Sequence, residues 1–194
     1  FTDESWLAGK KAVVAGIGAI GLLAVIALRL RGVEVIGIDI VDESSKRPQL
    51  LKELGATYVV DARQIDIKDL DRRFGEMDFI FEAAGAAQLG FDLIDVLGIN
   101  GIYVMTGIPG EGKPVCFPGA EAMSQIVLKN QLILGSVNAA PYHFESGLKD
   151  LEKAVNRWGD LIRELITARV DSGDFARALD FRSEDDIKTV ILWK

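Results

Sequence analysis

The sequence holds one cysteine, Cys116, and one histidine, His143, among 194 residues. A single thiol excludes an internal disulfide and any zinc cluster built from several cysteines of this chain, and it points to a reducing, cytoplasmic compartment. Without a partner for a metal or a nucleophile pair, Cys116 reads as a small buried or semi-buried residue. A solitary histidine reads as a capping or structural residue sooner than as a catalyst. A basic excess is also missing. The formal net charge is −7, and phosphate neutralisation needs a basic face, so nucleic acid is not an expected partner. No basic region opens the chain at Phe1-Thr2-Asp3-Glu4, so no signal peptide is read there. The longest apolar run, Ala12 to Leu28, carries no charge, yet Gly16 to Gly21 would break a membrane span at its middle, and no membrane partner is expected. The chain begins with Phe instead of Met, from which we expect a fragment or a processed product of a longer protein.

What is present fits one folded α/β domain. Apolar residues make up 49% and charged ones 26%, with 20 glycines, a globular mixture enriched in turns. The glycines concentrate meaning at Gly16-Ile17-Gly18-Ala19-Ile20-Gly21, a G-x-G-x-x-G run between a predicted strand, Lys10 to Ala15, and a predicted helix, Ala19 to Arg31. Such a strand-to-helix corner suits pyrophosphate: Gly16 permits the tight turn, Gly18 removes a side chain that would hold phosphates off, and Gly21 lets the helix lie close on the strand. The helix N-terminus adds free N–H groups and a positive dipole end. Leu22 to Leu30 is apolar enough to be buried against a sheet. A second strand, Glu34 to Ile38, ends in Asp39, where an acid would bind the adenosine ribose hydroxyls; its alternative is a solvated turn acid. Lys46 and Arg47 could neutralise a 2′-phosphate, but a carboxylate at the strand end repels one, so NAD is expected, with NADP as the second choice.

Read in order, the chain alternates strands and helices. Phe1 to Gly9 is a lead-in touching the body through Trp6 and Leu7. Further strands are predicted at Thr57–Val60, Met77–Glu82, Ile102–Met105 and Gln131–Val137. Helices are predicted at Gln49–Leu54 with Pro48 in the first turn, Asp66–Phe74, Ala87–Leu97 and Ala120–Lys129. Gly98 to Gly101 reads as a turn, and Gly110 to Gly119 as a long connection. This spacing specifies a Rossmann-type doubly wound parallel sheet of order 3-2-1-4-5-6, with its ligand outside the carboxyl ends of the strands. The expected cofactor contacts are Gly16, Gly18, Ala19, Ile20, Gly21, Asp39, Ile40, Ala84, Gly85, Gly107, Ile108, Val137 and Asn138. Beyond them, His143 to Ile166 reads as a helix with Phe144, Leu148, Leu151, Val155 and Trp158 as a buried stripe. A short helix, Asp174 to Leu179, and a terminal strand, Ile187 to Trp193, complete the chain. The apolar sixth strand at the sheet edge is an expected homo-oligomer seam.

A dinucleotide supplies a hydride acceptor, and the protein must still move the alcohol proton or polarise the carbonyl. No residue here is assigned that task, nor any metal ligand. The Tyr-x-x-x-Lys pair of short-chain dehydrogenases is missing, since Tyr58, Tyr103 and Tyr142 have no lysine four residues on.

The chain resembles the C-terminal, nucleotide-binding half of the zinc-dependent medium-chain dehydrogenases, and among them the archaeal-type glucose dehydrogenases. The resemblance rests on Ala15 to Leu22, Glu53-Leu54-Gly55-Ala56-Thr57-Tyr58, Met77 to Gly85, Asn130 to Asn138 with its Gly135-Ser136-Val137-Asn138, His143-Phe144, and Asp186 to Trp193. It implies that residues 1–194 are one dinucleotide-binding domain of an enzyme that oxidises an aldose such as glucose at C1. The catalytic zinc would belong to an N-terminal domain outside this chain, leaving the chain alone inactive. It also implies that Val137-Asn138 lies beside the nicotinamide and that Asn138 reaches the sugar. Two departures stand out. Ile40-Val41 follows Asp39 where NADP-using relatives carry an arginine pair, and Ala84 stands where a threonine is usual. The competing classes are another sugar, polyol or alcohol dehydrogenase of the same superfamily and a non-catalytic dinucleotide-binding module.

Overall fold

The structure, a computed structural model, describes residues 4–60, 66–110, 112, 114–180, 183 and 185–193. Phe1 to Asp3 of the lead-in, and Glu111 and Lys113 of the long connection, lie outside the described residues. Six parallel strands form one sheet: β1 (Lys11–Ala15), β2 (Glu34–Asp39), β3 (Thr57–Val60), β4 (Met77–Glu82), β5 (Leu97–Met105) and β6 (Leu132–Gly135). Their order is β3-β2-β1-β4-β5-β6, as the sequence predicts. β1 is central, pairing β2 through Val13–Ile36 and β4 through Val13–Ile80. Its side chains alternate between two cores. Ala12 and Val14 pack with Leu22, Val25 and Leu51 on one face, and Val13 and Ala15 pack with Ile36, Leu70 and Leu93 on the other. Both faces of β1 are buried, which is why that strand reads as a continuous apolar run.

The helices are α1 (Ala19–Leu30), α2 (Lys46–Glu53), α3 (Ile67–Phe74), α4 (Ala87–Asp92), α5 (Gly119–Leu128), α6 (Pro141–Trp158) and α7 (Phe175–Asp180). Trp6 lies against Phe79 with ring centroids 5.8 Å apart, and Leu7 packs on the core, so the lead-in is held where the sequence expects. Arg31 at the end of α1 pairs with Asp150 of α6 at 2.7 Å and with Glu4 at 3.0 Å, joining three segments.

Four expectations need correction. Gly98 to Gly101 is not a free turn: it lies inside β5 as a bulge, where the pairing register with β4 shifts and Asn100 takes φ 57° while its N–H bonds the Lys129 carbonyl. The fourth helix stops at Asp92 and gives way to a 3-10 turn over Leu93–Val96. α6 ends at Trp158 instead of continuing to Ile166, because Gly159 adopts φ 58° and stops it. A 3-10 helix, Gly159–Leu165, carries the helical expectation on to Leu165, and from Ile166 the chain forms a strand the sequence does not predict, β7 (Ile166–Asp171), paired in parallel with β8 (Lys188–Leu192). The apolar pattern ran on past Gly159, and helical and strand periodicities overlap over so short a stretch.

Candidate functional site

The three glycines of the β1–α1 turn do different jobs. Gly16 sits at φ 85° and donates its N–H to the Ile38 carbonyl at 2.8 Å; a Cβ there would lie 2.7 Å from the Ala84 nitrogen. At Gly21 a Cβ would drive into the Gly16 carbonyl oxygen, so the helix can lie on the turn only with glycine. Gly18 differs. Its φ of −70° suits any residue, and a Cβ there would meet nothing within 4 Å. No contact inside the chain accounts for glycine at that position; the space in front of it is open. Gly18 is also the N-cap of α1, and the first intrahelical bond runs from the Leu22 N–H to the Gly18 carbonyl at 2.9 Å. The amides of Ala19, Ile20 and Gly21 therefore stand ahead of the helical ladder at its positive end.

Asp39 ends β2 beside this turn. Its Oδ2 accepts the Ile17 N–H at 2.8 Å and its Oδ1 accepts the Ile40 N–H at 2.6 Å, so the acid also braces the glycine turn. Ile40 next to it is exposed. The nearby cations point elsewhere: Lys46 pairs with Glu164 at 3.3 Å, and the Arg47 guanidinium donates to the Asp186 carbonyl.

Past β4 and β5, a second pair of turns interlocks. Gly85 sits at φ 65°, where a Cβ would come 2.8 Å from the Ile108 carbonyl oxygen, and a Cβ on Gly107 would strike the Gly85 nitrogen. Ile108 is exposed beyond them. Glu82, at the end of β4, is buried behind both turns and accepts N–H groups from each. The sequence reading assigned it no role, although one acid closing an otherwise apolar strand end before Ala83-Ala84-Gly85 was the available signal. Last, the Ser136 N–H bonds the Met105 carbonyl at 2.9 Å, and Val137 and Asn138 leave β6 with exposed side chains.

The fold thus brings Gly16 against Ala84, Ile17 against Asp39, and Gly85 against Gly107 and Ile108, all at the carboxyl ends of parallel strands. Val137 and Asn138 share that end of the sheet through β6. His143 caps α6, as the sequence suggests: its Nδ1 accepts the Ala140 N–H at 2.8 Å while its own N–H donates to the Ala140 carbonyl at 2.9 Å. Cys116 is exposed, not buried: its backbone exchanges two hydrogen bonds with the Gln88 side chain, and it is the neighbouring Phe117 that stacks on Phe91. Behind β5, Tyr103 is buried and donates to the Gly90 carbonyl at 2.7 Å; desolvation, with the Glu82 charge nearby, pushes its phenol well above the usual tyrosine range.

The stripe on α6 is the largest correction. Phe144 and Leu148 are 66% and 68% exposed, and Leu151 and Val155 are also open to solvent, whereas Trp158 at the end of the stripe is half-buried against the core as expected. On α1, Ile20 and Leu23 are exposed as well, so that helix buries one face and not its whole circumference. Between the two helices runs an apolar groove of about 480 Å³ lined by Leu23, Ile26, Phe144, Leu148 and Leu151, beginning at Ala139, one residue after Asn138. Helical spacing marks a face as apolar but does not say whether anything covers it. Among the described residues no three His, Cys, Asp or Glu side chains come together as a metal site, and no helix is long and apolar enough to cross a membrane.

Residues 2–192 match the family described as Glucose dehydrogenase C-terminus. The chain belongs to that family. Curated relatives include glucose 1-dehydrogenase 2 of Vulcanisaeta moutnovskia, 35% identical over 182 residues covering 94% of this chain and 50% of that protein. Glucose 1-dehydrogenase of Thermoproteus tenax is 35% identical over 185 residues, again covering 94% and 50%. Among solved structures, Haloferax mediterranei glucose dehydrogenase in complex with NADP, Zn and gluconolactone superposes with a TM-score of 0.86 at 27% identity, covering 96% of this chain and 51% of that one. An alcohol dehydrogenase of Thermotoga maritima gives 0.80 at 26% identity over 100% and 52%. The chain spans about half the length of the relatives it matches.

Proposed function

We propose that this family member binds a nicotinamide dinucleotide, NAD in preference to NADP, as the cofactor half of an enzyme that oxidises an aldose such as glucose at C1. Gly18 carries the reading: packing accounts for Gly16 and Gly21, whereas Gly18 faces open space at a helix N-terminus, the place a pyrophosphate fills. The amides from Gly18 to Gly21 would hold the phosphates, Asp39 and Ile40 would border the adenosine ribose, and Ala84, Gly85, Gly107, Ile108, Val137 and Asn138 would line the remainder. When bound, the nicotinamide supplies the hydride acceptor. Asn138, exposed past β6, would reach the sugar. The preference for NAD is supported by the Asp39 carboxylate and by Lys46 and Arg47 being engaged with Glu164 and Asp186, even though the Haloferax enzyme is in complex with NADP.

In this reading residues 1–194 are a single dinucleotide-binding domain, and the catalytic zinc belongs to the part of the protein outside this chain. That part would seat on the apolar groove between α1 and α6, which begins beside Asn138 and so brings it to the reactive end of the cofactor. The likeness to an alcohol dehydrogenase over the whole chain supports a second reading, in which the substrate is another sugar, polyol or alcohol. Calorimetric titration of the chain with NAD and NADP tests the proposal. NAD should bind and NADP bind more weakly, with no glucose-dependent reduction of either. Failure to bind both overturns the cofactor reading, and turnover by the chain alone overturns the placement of the zinc.

A further inference from the structure

Glu82 is the single charged side chain among the described residues that is fully buried, 4% exposed at the end of β4. A carboxylate costs several kcal/mol to bury unless its oxygens are satisfied. Here Oε1 accepts the Ala84 N–H at 2.9 Å and the Gly85 N–H at 2.7 Å, while Oε2 accepts the Gly107 N–H at 3.1 Å. The backbone carbonyl of the same residue accepts the Thr106 N–H and the Thr106 hydroxyl, each at 2.8 Å, and shares the Gly107 N–H with Oε2 at 3.1 Å. One residue therefore ties together the turn after β4 and the turn after β5. The contacts leave no slack: a Cβ on Gly107 would come 2.5 Å from Glu82 Oε2.

We propose that Glu82 is a positioning residue for the second mononucleotide half of the site, its carboxylate locking the Ala84–Gly85 and Gly107–Ile108 turns into a preformed wall. This rests on the dinucleotide reading above. In a doubly wound fold the first three strands serve one mononucleotide and the last three the other. The turns held by Glu82 belong to β4 and β5, so Glu82 serves the nicotinamide side, while the pyrophosphate turn, although it packs against Ala84, has hydrogen bonds of its own to β2, from the Gly16 N–H to the Ile38 carbonyl and from the Ile17 N–H to Asp39. If the lock is removed, the two turns sample other arrangements, and the apparent affinity falls by the fraction of molecules that still present the wall.

The test is calorimetric titration of the full chain and of Glu82→Gln with NAD and with 5′-AMP, which occupies the adenosine side alone. Glutamine keeps one acceptor for Ala84 and Gly85 but turns an NH₂ donor toward the Gly107 N–H. NAD affinity should fall roughly tenfold, as for a competent population near one in ten, with AMP affinity unchanged. Glu82→Asp keeps the charge, but its carboxylate is one methylene too short to span both turns, and it should behave like Glu82→Gln. Amide hydrogen exchange without ligand gives a separate readout: the Gly107 amide, left with only its 3.1 Å bond to the Glu82 backbone carbonyl, should exchange faster in both variants, and the Ala83 amide, bonded to the Ala15 carbonyl at 2.8 Å, should not. Unchanged NAD affinity in a folded variant overturns the proposal, as does equal loss of NAD and AMP. Should the wild-type chain bind neither ligand, the dinucleotide reading fails, and the lock itself stands or falls on whether Gly107 exchange alone is accelerated.

Discussion

Replacing Gly18 by alanine separates the glycine that the fold requires from the glycine that a ligand requires. The added methyl group meets nothing within 4 Å, and the backbone there, at φ −70° and ψ −165°, accepts any residue. Its cost to the fold is limited to a poorer N-cap, about 1 kcal/mol at most, offset by about 0.4–1 kcal/mol from the less flexible unfolded chain. For a domain of this size the melting temperature should then move by no more than about 2–4 °C. Binding should respond far more. A methyl group in front of the amides ahead of Leu22 holds the phosphates away, and each lost hydrogen bond to a charged oxygen is worth about 1.5–3 kcal/mol. Losing two of them weakens NAD by about 3–6 kcal/mol, at least a hundredfold in Kd. Gly21→Ala is the control. Its Cβ falls on the Gly16 carbonyl oxygen, a backbone atom that cannot swing aside, so the melting temperature itself should drop, by the amount expected for about 1–3 kcal/mol or more of overpacking. Thermal melting and calorimetric titration of the two variants decide the matter. A Gly18→Ala chain that binds NAD as tightly as the wild type, or melts as low as Gly21→Ala, refutes the assignment.

Asp39→Gly removes an acceptor for the ribose hydroxyls and the repulsion of a 2′-phosphate, so NAD should weaken more than NADP, on top of a loss common to both because the carboxylate also braces the Ile17 amide; adding Ile40→Arg should strengthen NADP by about tenfold or more for a charge-assisted contact, and a ratio of the two affinities left unchanged by Asp39→Gly counts against Asp39 as the selector. Tyr103→Phe removes the bond to the Gly90 carbonyl and should cost about 1–3 kcal/mol in urea unfolding. Because the folded chain keeps the Tyr103 proton at pH values where the unfolded chain loses it, wild-type stability from this residue is complete below the ordinary tyrosine pKa of about 10 and declines above it; the gap between wild type and Tyr103→Phe should narrow between neutral and strongly alkaline pH, and a gap that widens refutes the shift. β6 bonds β5 on one side only and exposes Leu132 and Leu134, so the chain should sediment as a dimer that Leu134→Lys dissociates, and a monomeric wild type removes the edge as a seam.

The strand order, the glycine turn and the acid after β2 could be read before any coordinates because each is a local pattern. Buried parallel strands are continuous apolar runs, turns demand glycine, and the handedness of crossovers leaves few ways to join the pieces. Other features depend on distant partners and carry no local mark. Asn100 lies inside β5 because the Lys129 carbonyl takes its amide, while the sequence around it reads as a turn. β7 exists because β8, some twenty residues later, pairs with it. Phe144, Leu148, Leu151 and Val155 repeat with helical spacing, which fixes that they share a face; that the face is open was decided by where α6 lies on α1.

The same division runs through the site. Sequence alone determined which backbone stretches stand at the carboxyl ends of the strands, because periodicity and glycine placement fix element order. Only the tertiary structure decided what each member does there. It gave Gly16 and Gly21 packing roles and left Gly18 facing open space, turned Asp39 back onto the Ile17 amide, and put the Glu82 carboxylate behind two turns, one at Gly85 just after it and one at Gly107, 25 residues along the chain from it. A residue's neighbours across a sheet follow from strand pairing, and side-chain spacing along one strand cannot encode them.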